Sequence, residues 1–252
     1  MKLFKNSKTQ WLKLSGLSSL IALFSLTAMA QNPASEKETL SPKDKSIITI
    51  SSYTAQGKIS ELKTEFNNGL TAGLTVNEIK EALVHTYAYC GFPRSITGIQ
   101  TFMQVIEERK AKGIQDNIGK EVSPISGDSS KYERGKTILS ELTGTPAPNK
   151  LSGYSAFAPA IDTFLKEHLF ADIFERDVLT YAQRELVTIS VISAIGDADP
   201  MLRSHLNISL RVGWSAAQLT EFINVISPTV NKEKAAAAKA VLTQVLANQQ
   251  SK

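Results

Sequence analysis

Leucines at 202, 206 and 210 draw one apolar stripe along a helix that stops at Gly213, a residue free to take positive φ. The same design occurs 140 residues earlier. Sliding Leu62–Leu83 onto Leu202–Ile223 without a gap gives five identities, at Leu62, Asn67, Leu70, Gly73 and Glu81 of the first copy. Upstream, ITISSYTAQG from Ile48 matches VTISVISAIG from Val187 at five of ten positions, with one inserted residue between the blocks. A second helix follows each glycine. Thr75 with Glu78, and Ser215 with Gln218, read as capping boxes, so each copy is predicted to be helix, tight turn, helix.

The β-branched stretch 44–56 leaves helix and strand open on propensity alone, but its repeat opens with the helix formers of QRELVTISVISAIG. Both are read as helix. Further helices are expected at about Ile59–Ala72, Val76–Tyr89 and Arg94–Lys112, the last opened by Pro93. The segment 113–130 reads as a linker, KYERGKTILSEL as a helix, TGTPAPNKLSG as a loop, and YSAFAPAIDTFLKEHLF as one more apolar-periodic helix. The closing stretch NKEKAAAAKAVLTQVLANQQ has high helix propensity. No alternating strand pattern stands out, and the fold class is all-α.

Composition alters this picture at the amino terminus. Lys2, Lys5, Lys8 and Lys13 precede an apolar run from Leu14 to Leu26 and then Ala28-Met29-Ala30, the form of a secretory signal peptide cleaved after Ala30. The run is too short for a spanning helix, so no stable membrane anchor is expected and the product is secreted or periplasmic. Removing it leaves 24 basic residues against 24 acidic ones, so the basic excess belongs to the export signal and no nucleic-acid partner is indicated. Cys90 is the sole cysteine, so the fold rests on its core and not on an internal disulfide. The chain divides as 1–30 signal, 31–38 polar segment, 39–112 first unit, 113–169 linker and connecting helices, 170–247 second unit and 248–252 tail.

Two stretches resemble the carboxymuconolactone decarboxylase family, which shares its fold with the AhpD-type alkylhydroperoxidases. The first copy carries EIKEALVHTYAYCGFPRSITGI, with His85, Tyr89, Gly91 and Pro93 in the family pattern; the second carries LFADIFERDVLTYAQRELVTIS followed by LRSHLNISLRVGW. The resemblance implies an all-α AhpD-like fold of two tandem units and assembly into homo-oligomers.

Glu81, His85 and Tyr89, spaced four apart, share one helix face and offer an acid, a base and an orienting group. His205 borders the apolar stripe of its helix. In the peroxidase branch a Glu is followed by eleven residues, Cys, two residues, Cys, three residues and His; Glu185 and His205 resemble the outer members, allowing one inserted residue. The cysteine places hold Ala198 and Met201 counted back from His205, or Asp197 and Pro200 counted forward from Glu185. The first copy has Ser46 and Glu65 in place of Glu185 and His205, and the second has Val225 and Thr229 in place of His85 and Tyr89. Each copy keeps what the other has lost, which predicts one composite site, within or between subunits.

Cys90, near the end of its helix and without a resolving partner, reads as a packing residue, and His168 as a surface residue. Two family histidines are too few ligands for a closed metal site, and no cofactor cradle is present. The resemblance implies cofactor-independent decarboxylation of a small carboxylated lactone, with His85 or His205 as general acid and Arg94, or more weakly Arg203, holding a carboxylate. Peroxiredoxin-type activity and a non-catalytic binding scaffold are the competing readings.

Overall fold

A computed structural model describes residues 39–125, 128–148 and 150–250, so the expected signal peptide and the segment 31–38 lie outside the described residues. The first helix, α1 (Pro42–Gln56), is closed at its start by a capping box between Ser41 and Asp44 and at its end by Gly57. Its repeat, numbered α7 in chain order (Tyr181–Ile195), starts from the Thr180–Gln183 box and ends at Gly196. The two pack against each other, and both are buried on nearly all sides. That burial explains the β-branched composition: a helix covered all round draws its stability from packing, not from propensity. Small residues let them approach, and two of their hydroxyls are satisfied along the helix, Thr54 Oγ1 to Ile50 O at 2.7 Å and Ser190 Oγ to Leu186 O at 2.6 Å.

Around this pair lie α2 (Ile59–Thr71) and α3 (Val76–Ala111) from the first copy. The second copy gives α8 (Asp199–Arg211) and α9 (Ala216–Ile226). The expected boxes at Thr75 and Ser215 both form, and Gly73 and Gly213 both take positive φ. The two helices read from α3's sequence meet at Gly91, whose φ of 78° and ψ of 164° belong to a region reserved for glycine. The bend turns the second arm back on the first, so that Ser95 Oγ donates to Leu83 O at 2.7 Å.

Three further helices, α4 (Lys131–Thr143), α5 (Gly153–Phe157) and α6 (Pro159–Thr163), lead into a π-helix at Phe164–Phe174. One continuous helix from Tyr154 to Phe170 is therefore not what forms. Ala158 leaves helical geometry at the break, with φ −131° and ψ 77°, Pro159 starts a new turn, and the remainder widens to π geometry. The π-helix and α4 share a small core of Ile138, Leu142, Leu169, Phe170, Ile173 and Phe174, to which α8 adds Ile208. The chain closes with α10 (Lys232–Gln250), packed on α8 and α9. Among the described residues there are no strands, and no helix is long and apolar enough to cross a membrane.

The two units of the sequence interleave. The first copy's α3 packs on the second copy's α7, and the second copy's α9 packs on the first copy's α1, so one hydrophobic core runs from Leu40 to Val245.

Candidate functional site

The exchange of partners sets the first arm of α3 beside α7 and α8. Glu81, His85 and Tyr89 descend one face of α3 at successive turns; Arg184, Glu185 and Thr188 face them from α7, and His205 from α8. Residues of the two copies are thus brought together within one chain. Tyr89 stands between the imidazoles, stacked on His85 at 5.5 Å between centroids and edge-on to His205 at 5.9 Å. Phe174 of the π-helix closes the other side of His85 at 5.0 Å.

His85 is fully buried, and its partners fix its tautomer. Arg184 Nη1 lies 3.2 Å from Nδ1, and a guanidinium can only donate, so Nδ1 accepts. The ring proton is then on Nε2, 2.9 Å from Thr188 Oγ1. Burial first, then the positive charge of Arg184 and the neighbouring His205, hold His85 well below the usual imidazole range. It is a neutral ring whose lone pair is already engaged.

Arg184 is also fully buried and was not read as a site residue from the sequence. Its Nη2 donates to Glu81 Oε1 at 2.7 Å and to Arg176 O at 2.6 Å. Arg176, from the turn after the π-helix, completes the group with Nε and Nη2 on the two Glu81 oxygens at 2.7 and 2.9 Å. Burial alone would raise the Glu81 carboxyl; the two guanidiniums bring it below its ordinary range. One carboxylate between two arginines leaves this end with formal positive charge.

Glu185, wholly buried, takes one bond: His205 Nδ1 lies 3.0 Å from Oε2. The carboxylate accepts the Nδ1 proton, leaving Nε2 of His205 with no protein partner, on a side chain 13% exposed. Three buried polar atoms of the cluster are unpaired among the described residues: Glu185 Oε1, Arg184 Nε and Tyr89 Oη. The Tyr89 phenol lies close to Thr188 but does not meet hydrogen-bond geometry. Burial and the Glu185 charge push it far upward, so it is a donor at any physiological pH.

The expected cations are elsewhere. Arg94 is exposed, its guanidinium lying over Gly57, and Arg203 bonds Gln244 on the outer side of α8. The guanidiniums beside Glu81 and His85 are those of Arg184 and Arg176. Cys90 donates to Thr86 O at 3.1 Å, and burial pushes its thiol up to about 11. His168 is exposed and bonds Asp172 at 3.2 Å. Among the described residues no group of three or more His, Cys, Asp or Glu is placed to hold a metal.

The model of the carboxymuconolactone decarboxylase family matches residues 24–101 and again 159–244. The chain belongs to the carboxymuconolactone decarboxylase family. Its internal repeat is therefore two family units in tandem, and the residues around His85 and Arg184 come one set from each. Among curated proteins it is similar to the 4-carboxymuconolactone decarboxylase of Acinetobacter baylyi (strain ATCC 33305 / BD413 / ADP1), 29% identical over 97 residues, which are 38% of this chain and 72% of the relative.

Proposed function

We propose that this family member is a cofactor-independent carboxy-lyase acting on a small carboxylated lactone or a related unsaturated acid, with His205 as the proton carrier. The observation that carries the reading is the His205–Glu185 pair: Nδ1 anchored on a buried carboxylate at 3.0 Å and Nε2 without a protein partner. In the reaction the bond from carbon to the carboxylate breaks and CO₂ leaves. The electron pair delocalises into the conjugated lactone, and carbon takes the proton from Nε2 of the imidazolium, which Glu185 stabilises. Nε2 then recovers a proton from solvent. The Tyr89 phenol donates to the oxygen on which charge develops, and Arg184 with Arg176 supplies positive potential. His85, its lone pair held by Arg184, positions Tyr89 and is not the acid.

The family and the Acinetobacter relative support this chemistry. The dithiol peroxidase reading has the weaker support, because the one cysteine is a half-buried thiol with its pKa pushed up to about 11. The test is turnover of 4-carboxymuconolactone in D₂O. His205→Gln is expected to lower the rate by about two orders of magnitude or more, with an unchanged circular dichroism spectrum, and the native chain to place one deuterium at the decarboxylated carbon. Undiminished turnover by His205→Gln sinks the assignment of the acid. No turnover of this lactone or of related unsaturated acids by the native chain sinks the reading as a whole.

A further inference from the structure

Thr188 of α7 is wholly buried, and its hydroxyl makes one hydrogen bond among the described residues, at 2.9 Å to Nε2 of His85. Because Arg184 occupies Nδ1, the imidazole proton sits on Nε2, and Thr188 Oγ1 accepts it. A hydroxyl that accepts still has a proton of its own to give. Inside a helix the usual outlet is the carbonyl four residues back, the bond that Thr54 and Ser190 make. Among the described residues Thr188 makes no such bond, which leaves its proton for a neighbouring helix. Its counterpart in the first copy is used in this way: Thr49 Oγ1 donates across to Glu65 Oε2 of α2 at 2.8 Å, and its contacts with its own helix, at 3.3 and 3.2 Å, are longer.

The neighbour that Thr188 meets is Tyr89. That ring is stacked on His85, its phenol lies close to Thr188, and its Oη is buried without a hydrogen-bond partner. A donor short of an acceptor thus stands beside an acceptor short of a donor. Hydrogen bonds that serve a reaction are often long in the free protein and tighten in the complex. We infer that Thr188 is a positioning residue for the lyase reaction proposed above: it takes the proton of His85 Nε2 and gives its own to Tyr89 Oη, which turns the phenol proton toward the substrate. The inference rests on that reading of the site. A phenol oxygen that accepts one hydrogen bond donates the next more strongly, so the relay Arg184, His85, Thr188, Tyr89 runs in one direction.

Neutron diffraction from crystals of the full chain exchanged into D₂O tests the direction of the relay. It is expected to show deuterium on Nε2 of His85 and the Thr188 deuterium pointing at Tyr89 Oη. A Thr188 deuterium aimed at the Arg184 carbonyl, or at His85 Nε2, overturns the inference. That observation needs no substrate, so it is decided separately from the lyase reading, which fails if the native chain turns over neither 4-carboxymuconolactone nor related unsaturated acids. In steady-state turnover of 4-carboxymuconolactone, Thr188→Val keeps the shape and removes the hydroxyl; it is expected to lower kcat about tenfold with KM within about twofold. Thr188→Ser, which restores the hydroxyl, is expected to lie within about threefold of the native kcat. In a Tyr89→Phe chain, adding Thr188→Val is expected to cost less than about twofold more, because no phenol remains to be oriented. A native kcat in Thr188→Val, a serine variant no better than the valine one, or a tenfold loss that persists in the Tyr89→Phe chain overturns the inference. Thr188→Val leaves the buried Nε2 proton of His85 without an acceptor, and should it not fold, the neutron result still decides.

Discussion

His85 illustrates how a residue found by spacing acquires its role from a neighbour that spacing does not show. The stripe Glu81, His85, Tyr89 is legible because residues four apart share a helix face. Arg184 is not, since an arginine in QRELVTIS reads as an ordinary charged position near a helix start. The one available signal was the repeat: Arg184 aligns with Lys45, and Glu81 with Glu221, so a basic and an acidic residue recur together in both copies. The consequence for stability has a definite sign. In the unfolded chain His85 takes a proton as pH falls below its ordinary value of 6.5, whereas the folded ring resists it. Folding stability is therefore full above that pH and declines below it, by up to about 1.4 kcal/mol per pH unit. Glu81, also depressed, adds its own loss only as pH falls below its ordinary 4.5. Urea unfolding at pH 7, 6 and 5 is expected to show a shallower decline for His85→Gln than for the native chain. Parallel declines would mean that the folded ring protonates freely.

At the scale of the helix, the caps and glycine stops were readable because they are local chemistry. The π-helix was not. Widening a helix to π geometry changes no residue type in a way that periodicity registers, and here the widened segment packs along α4. The crossing point is Gly135, where an added Cβ would lie 1.7 Å from the carbonyl oxygen of Lys166. Only the absence of a side chain lets the two elements approach so closely. Beside this crossing Lys166 is buried with Asp162 at 2.7 Å, and Tyr132 donates to the same carboxylate. Gly135→Ala must push the backbones apart and is expected to cost about 1–3 kcal/mol in urea unfolding, despite alanine's better helix propensity. A variant as stable as the native chain would show that the crossing relaxes freely.

Over the whole molecule, the duplication is visible in sequence but the exchange of partners is not, because repeats state which segments are alike and not which ones touch. The exchange creates a second, related corner. There Lys45 pairs with Glu221 at 2.7 Å as Arg184 pairs with Glu81, and Thr49, the counterpart of Thr188, donates to Glu65 at 2.8 Å. Val225 and Thr229 stand where His85 and Tyr89 would be. Lys45 and Glu221 are partly exposed, so Lys45→Ala is expected to cost less than about 1 kcal/mol and to leave lactone turnover intact. Arg184→Met, which strands buried polar groups, is expected to cost about 3–5 kcal/mol and to abolish turnover. Equal effects of the two substitutions would mean that both corners matter alike.

Because α3 of one copy leans on α7 of the other, the two halves of the chain are mutually dependent. A chain cut to its first half would keep Glu81, His85 and Tyr89 without the residues that face them, and one cut to its second half would keep Arg184, Glu185, Thr188 and His205 with the same loss, so neither half alone can rebuild the cluster.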